Sequence, residues 1–267
     1  MPRKADPAGI AEQVLASPKY RHLDEALVRR MAAEAAGRFR DHNEAVKYAK
    51  RKLHQAFGAF LTGEPASAVR GCVEAIRGGA DHREACRTAM RAHASTAERI
   101  AWLDPFYAKV SAWCAPVSSV VDLACGLNPL TLPWLGLPPD ATYWCCDIDR
   151  ELVAALGRLG EVFPVQVRAQ ACDLLTAPAV PAAELALVLK TLTTLEQQRG
   201  GAAGAVLAAL DAPHVVLSLP RRSLGARRSY VDDPEALVSR AVSATRYRVA
   251  DRAEFGDELL CHLVRDG

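Results

Sequence analysis

Long apolar runs are missing. The chain is 50% hydrophobic, yet no stretch of about 18 consecutive apolar residues occurs, so no transmembrane helix is expected. The first residues, "MPRKADPAGIAEQ", carry charge with no apolar segment behind it, so no secretory signal is expected and the chain is placed in the cytoplasm. Zinc-type spacing is missing too. Eight cysteines are present, but no Cys-x-x-Cys pair, and Cys145 and Cys146 are adjacent. Most sit in apolar segments, which predicts buried thiols in a reducing compartment and no metal. Internal repeats and low-complexity segments are also absent.

Charge of one sign is absent overall but not locally. Residues 1–100 hold 18 Lys+Arg against 12 Asp+Glu, so +6; the other 167 hold the remaining 15 against 19, so −4. A basic N-terminal part suggests an anionic partner.

That part has helical periodicity. Leu23, Leu27, Met31 and Ala35 recur on one helix face, and so do Val46, Ala49, Leu53, Phe57 and Phe60. The opposite side of the second helix carries Lys47, Lys50, Arg51 and His54, beside Lys52. Asp41 or Asn43 is placed to cap its start, and Gly63–Pro65 breaks it. Two more helices are expected near 66–77 and 81–92. The division expected is a helical domain over 1–92 and an α/β domain over 93–267.

From about residue 117 the texture changes. Seven short apolar runs alternate with helix-like segments: "VSSVVDLA", "TYWCCDID", "FPVQVRAQACD", "LALVLKTL", "HVVLSLP", "RYRVADR" and "ELLCHLV". Strands of this kind predict a mostly parallel, doubly wound α/β sheet covered on both faces. The last two predict a closing antiparallel hairpin. In such sheets ligands bind beyond the carboxyl ends of the strands, here Asp122, Asp147, Asp173, Lys190 and Pro220.

The first turn discriminates between cofactors. A dinucleotide needs G-x-G-x-x-G so that pyrophosphate can approach the backbone at a helix N-terminus. The turn here is Asp122-Leu123-Ala124-Cys125-Gly126, with one glycine and an acid. An acid disfavours pyrophosphate and favours a cationic cofactor. D-x-A-x-G is a weakened form of the D-x-G-x-G of S-adenosylmethionine (AdoMet) methyltransferases. Asp147 is placed for ribose hydroxyls and Asp173 for the adenine amine. Asn128 and Pro129 are expected to start a helix, and Ser95 or Thr96, with Glu98, to start another. Arg99 is a candidate for a bidentate pair with the AdoMet carboxylate.

The segments "SPKYRHLDEALVRR", "LHQAFGAFL", "HASTAERIAWLDPFY", "DLACGLNPL", "CDID", "LVLKTLTTLEQQRG", "SLPRRSLG" and "GDELLCHLV" resemble the aminoglycoside-resistance 16S rRNA methyltransferases that modify N7 of guanine 1405. They run in order from about residue 12 to the C-terminus. The resemblance implies a class I AdoMet-dependent methyltransferase fold behind a helical domain that grips the 30S subunit. It implies AdoMet contacts, with S-adenosyl-L-homocysteine as product, at Phe60, the segment with His93, Ser95, Thr96 and Arg99, and Ala124, Gly126, Asp147, Asp173, Leu174, Leu189 and Gln198. Lys190 and Glu196 match positions near the target base; Lys190 either holds the base edge or a nearby phosphate, or pairs with Glu196. Departures are Thr193 for proline, Leu219 for Phe, Arg221 for Thr, Cys261 for Tyr, and "ARRSYVDD" in place of a Lys-Gly-Met loop.

N7 of guanine has a lone pair and no proton, so methylation there needs no general base. Positioning suffices, and a base held in a ribosomal helix must be exposed or flipped. Lys47, Lys50, Arg51 and Lys52 are assigned to the RNA backbone, with Arg221, Arg222, Arg227 and Arg228 as a second patch. A monomer acting on 16S rRNA within the assembled 30S subunit, away from membranes, is expected. The rival readings are methylation of adenine N1 in the same decoding helix, a small-metabolite methyltransferase, and a non-catalytic 30S-binding factor. The Asn/Asp-Pro-Pro-aromatic motif of exocyclic-amine methyltransferases is missing, and "LKTLTTLE" stands in its place.

Overall fold

A computed structural model describes residues 5–57, 63–221 and 233–266. Helix α1 spans Pro7–Leu15, α2 Glu25–Arg38 and α3 His42–Phe57. Their start signals are local. Asp6, Asp24 and Asp41 each accept from the N–H three residues on, so an aspartate caps all three helices. Leu23, Leu27, Met31 and Ala35 are buried as the spacing predicts, together with Val46, Ala49 and Leu53.

The next helices are α4 (Pro65–Arg77), α5 (His82–Met90), the single turn α6 (Ala94–Ala97) and α7 (Leu103–Cys114). The sheet strands are β1 (Ser119–Leu123), β2 (Thr142–Asp147), β3 (Gln166–Ala171), β4 (Leu185–Leu189), β5 (His214–Pro220), β6 (Tyr247–Phe255) and β7 (Glu258–Arg265). Between them lie α8 (Leu132–Leu135), α9 (Arg150–Gly157), α10 (Leu192–Gln198), α11 (Ala202–Ala209) and α12 (Pro234–Ser243). All seven apolar runs of the sequence are strands. Their order is β3-β2-β1-β4-β5-β7-β6, and β7 alone runs against its neighbours. This is the sheet of a class I methyltransferase.

Alternation divides the strands between two cores. Val120, Tyr143, Cys145, Leu185 and Leu187 face α4, α5, α7 and α9. Val121, Trp144, Cys146, Ala186 and Val188 face α10, α11 and α12. Both faces are therefore covered, as a parallel sheet requires. Helices α1–α3 enclose a third core of their own, which Ile148 also touches. The packing thus joins α4 and α5 to the sheet, whereas the sequence groups them with the helices before residue 92. Their apolar faces fit the sheet because Val69, Val73, Cys86 and Met90 pack in the same cluster as Val120 and Tyr143.

The first helical unit is seated on the loop after β2. Asp24 N–H donates to the Ile148 carbonyl (2.7 Å), and Arg150 N–H donates to the His22 carbonyl (2.8 Å). The Arg150 guanidinium reaches the Arg21 carbonyl (2.7 Å). Main chain of the helical unit therefore borders the residue that follows Asp147.

The β1 turn uses two left-handed residues, Ala124 (φ 49°) and Gly126 (φ 50°). Glycine adopts this conformation freely, whereas a side chain there costs about 1–2 kcal/mol. A Cβ on Gly126 would also sit 3.2 Å from the His93 ring. Gly126→Ala is therefore expected to lower stability by about 1–2 kcal/mol, while Ala124→Gly raises it by about 0.5–1 kcal/mol. Denaturant melts of the two variants check this opposition of sign.

Candidate functional site

The carboxyl ends of β1, β2 and β4 and the loop after β3 converge on a cleft of about 950 Å³, counted with its open mouth. Ala124, Gly126, Asp147, Asp173, Leu174, Leu189, Lys190 and Gln198 line it, with His93 and Ser95 on the side approached by α6. Ten residues named from the sequence are thus brought together. Leu152, Cys172 and Leu195 add apolar surface, and Leu27 enters from α2.

Asp147 is the hinge of the geometry. Its Oδ2 accepts from Gly126 N–H (2.9 Å) and its Oδ1 from Asp149 N–H (3.2 Å). The end of β2 thereby fixes the turn after β1. Burial pushes its pKa up, and these N–H donors pull it down. Asp173 is buried; its Oδ1 accepts from Leu175 N–H (3.0 Å). Its Oδ2 accepts from Arg30 Nε (2.5 Å), and Arg30 also donates to Gln198 Oε1 (3.0 Å). Arg30 lies on α2, so a helix of the N-terminal unit grips two cleft residues. No periodicity in the sequence marks Arg30, because its partners are 143 and 168 residues away.

Behind the cleft is a buried polar chain. Asp122 accepts from Asn128 Nδ2 (2.9 Å) and from the Tyr143 hydroxyl (2.6 Å), both on Oδ2, while its Oδ1 has no hydrogen-bond partner. Burial pushes Asp122 up to about 6, against the pull of Tyr143 and Asn128. Asn128 Oδ1 accepts from Tyr107 (2.6 Å) and Arg99 (3.2 Å). Arg99 then forms a forked pair with Glu258 (2.6 and 3.3 Å). Burial alone would raise the Glu258 pKa, but Arg99 and Lys190 hold it below the usual carboxylate value.

Several sequence expectations change here. Arg99 does not line the cleft; its guanidinium is held by Glu258, which arrives on β7 from 159 residues away. Asp122 and Thr96 are likewise behind the wall. The Thr96 hydroxyl donates to the Met90 and His93 carbonyls and caps nothing. Ser95 is hydrogen-bonded to His93 Nδ1 (2.8 Å). Asn128 is not a helix cap either, because Asp122, Arg99 and Tyr107 take its side chain. Lys190 does not pair with Glu196. Its Nζ meets Glu98 Oε2 (2.5 Å) and lies 3.5 Å from Glu258. Glu196 is away from the cleft lining and accepts from Gly201 and Ala203 N–H at the start of α11. His93 is buried beside Lys190 and Arg99; desolvation first, and these cations second, lower its pKa to about 4, so it is neutral at pH 7.

Of the basic residues, Arg51 and Lys52 approach the Tyr48 ring (5.4 and 5.8 Å), and Lys47 pairs with Glu44 on an exposed surface. Lys50 is half-buried. Arg221 is exposed and bonded to Glu254 (2.6 Å). Phe60, Arg222, Arg227 and Arg228 lie outside the described residues.

The donor set suits AdoMet rather than a dinucleotide. Three carboxylates gather at or just behind the strand ends, the buried Asp122 Oδ1 has no partner, and the Gly126 turn lies where any side chain would meet His93.

Comparison with known proteins agrees. The family model described as ribosomal RNA methyltransferase (FmrO) matches residues 16–263. A 16S rRNA (guanine(1405)-N(7))-methyltransferase of Micromonospora olivasterospora is 58% identical over 251 residues, covering 94% of this chain and 86% of that protein. One of the same name from Serratia marcescens is 33% identical, covering 95% and 96%. The 16S rRNA methyltransferase RmtF, solved in complex with S-adenosyl-L-homocysteine, superposes with a TM-score of 0.85 at 31% identity, over 97% of this chain and 98% of that one. The chain belongs to the FmrO family of ribosomal RNA methyltransferases.

Proposed function

We propose that this chain methylates N7 of guanine 1405 of 16S rRNA with AdoMet and so confers aminoglycoside resistance. It does so as a cytoplasmic monomer acting on the assembled 30S subunit. The observation that carries the reading is the acid-lined cleft at the strand ends, with Asp147 tied to the Gly126 turn, in a chain 58% identical to an enzyme of that name.

AdoMet, when bound, supplies an electrophilic methyl on a sulfonium. The residues of the chain hold, orient and exclude water. Asp147 is the group for the ribose hydroxyls and Asp173 for the adenine amine, with Leu174, Leu189 and Gln198 around the base. Arg30 holds the Asp173 carboxylate in place. Lys190, in a left-handed backbone (φ 55°), lines the cleft, and its ammonium is held by Glu98 and Glu258. It orients the guanine or a neighbouring phosphate. Arg99 and Asp122 act through this wall as positioning residues. N7 carries no proton, so no residue need act as a base, and the neutral His93 serves packing against Gly126. Catalysis is then a matter of alignment. The energy to expose the base, a few kcal/mol, comes from rRNA contacts through Lys47, Lys50, Arg51 and Lys52 of α3, aided by Arg221 and the arginines at 222, 227 and 228.

Methyl transfer from labelled AdoMet to 30S subunits, followed by borohydride–aniline cleavage, tests the reading. One cleavage at guanine 1405 is expected; transfer without cleavage would move the target to another atom such as adenine N1. Asp147→Ala is expected to abolish AdoMet binding by calorimetry. Lys50→Ala with Arg51→Ala should leave that binding unchanged and weaken association with 30S, with a shallower salt dependence. Arg30→Ala removes one charge-assisted contact worth about 1.5 kcal/mol and should raise the AdoMet Kd about tenfold. Tighter binding instead would mean that Arg30 competes for the adenine's place on Asp173.

A further inference from the structure

At the opposite end of the sheet, three soft ligand atoms converge. Cys114 ends α7, His214 begins β5, and His262 lies on β7. One donor atom of each falls within 4.8 Å of the others. The two imidazoles already point together. His214 Nδ1 is 3.0 Å from His262 Nε2, with ring centroids 5.2 Å apart and planes 23° from parallel. Donors around a tetrahedral zinc lie roughly 3.3–3.7 Å apart, given Zn–N near 2.0 Å and Zn–S near 2.3 Å. The imidazole pair is therefore close to ligating separation, and Cys114 needs an approach of at most about 1 Å.

We infer that Cys114, His214 and His262 form a zinc site, with water as the fourth ligand on the half-exposed His214 side. One thiolate and two imidazoles form a donor set that zinc prefers over harder cations. Second-sphere contacts are in place. The Trp113 ring lies 5.2 Å from His262 and nearly parallel to it, at 13°. Its indole N–H donates to Asp251 Oδ2 (2.8 Å), which also accepts from Lys109 (3.0 Å). The indole stacked on His262 is thus itself held in place. Zinc binding replaces the Cys114 S–H bond by an S–Zn bond and releases that proton to solvent; the imidazole whose N–H donates in the His214–His262 hydrogen bond moves its proton to its other ring nitrogen, which frees a lone pair for the metal with no further proton lost.

The site would tie the end of α7 to the one reversed strand of the sheet. Its distance from the cleft is large. The six steps along β5 from His214 to Pro220 span roughly 20 Å, so it serves the scaffold and not methyl transfer. Sequence spacing conceals it, because its three ligands come from positions 114, 214 and 262.

The test uses the full chain, stripped with chelator and exposed to Zn²⁺ alone. Elemental analysis after gel filtration should find one zinc per chain, and calorimetry in two buffers should find one proton released. Co²⁺ in place of zinc should give a near-ultraviolet thiolate-to-metal band that Cys114→Ser removes. His214→Ala, at the start of its strand, and His262→Gln should each weaken zinc binding at least 100-fold, while AdoMet calorimetry confirms that each variant is folded. Absence of stoichiometric zinc, or zinc held equally well by Cys114→Ser and His214→Ala, would overturn the site and leave His214 and His262 as a hydrogen-bonded pair. Neither result bears on AdoMet binding.

Discussion

The buried pair between Arg99 and Glu258 is the interaction on which the cleft depends. It joins the segment before β1 to the start of the reversed strand, and its two side chains are 2% and 5% exposed. A charge so far from water is tolerated only when it is matched and its remaining donors are satisfied. Here Asn128 takes a second arm of Arg99, and Ser218 donates to Glu258. Asn128 in turn holds Asp122, and Glu258 lies beside Lys190. One polar chain therefore runs from the β1 turn to the ammonium of Lys190, a residue of the cleft wall. Such a chain is worth more complete than as separate pairs, because each unpaired member would be buried alone.

This wall separates two tasks. Carboxylates at the strand ends present acceptors to a cationic cofactor, while α3 exposes Lys47 and Arg51 on the helical unit, the residues proposed for phosphate contacts. The two meet at α2. Its apolar face closes the core of the first helical unit, and Arg30 on the same helix reaches Asp173 and Gln198. If the helical unit contacts RNA as proposed, its movement would be felt at the cofactor side through the Arg30–Asp173 pair, the His22–Asp149 contact and the seat of residues 21–24 on the loop after β2.

The sequence revealed those features that are written locally. Each of the seven apolar runs is a strand, because alternation fills two cores and a covered sheet needs both. The acids at 147 and 173 were visible because strand ends in such sheets face the ligand. Features that depend on distant pairing were hidden. Arg99 looked free to meet a carboxylate because Glu258 is far along the chain, and of the two readings of Lys190 the pair with Glu196 gives way to Glu98 and Glu258, which stand nearer. Asn128 read as a helix cap by its place before Pro129, yet the unmet needs of buried Asp122 and Arg99 outweigh capping. Cys114 read as a small hydrophobe because no ligand neighbours it in sequence.

The most direct test of this account is AdoMet calorimetry on Glu258→Ala, with circular dichroism and denaturant melts on the same sample. Removing one partner leaves Arg99 buried and uncompensated, at a cost of about 3–5 kcal/mol. The account predicts a folded but destabilised protein whose AdoMet Kd rises at least tenfold, although residue 258 lines no part of the cleft. An unchanged Kd in that destabilised protein would contradict it, by showing that the strand-end acids hold their geometry without the buried chain behind them.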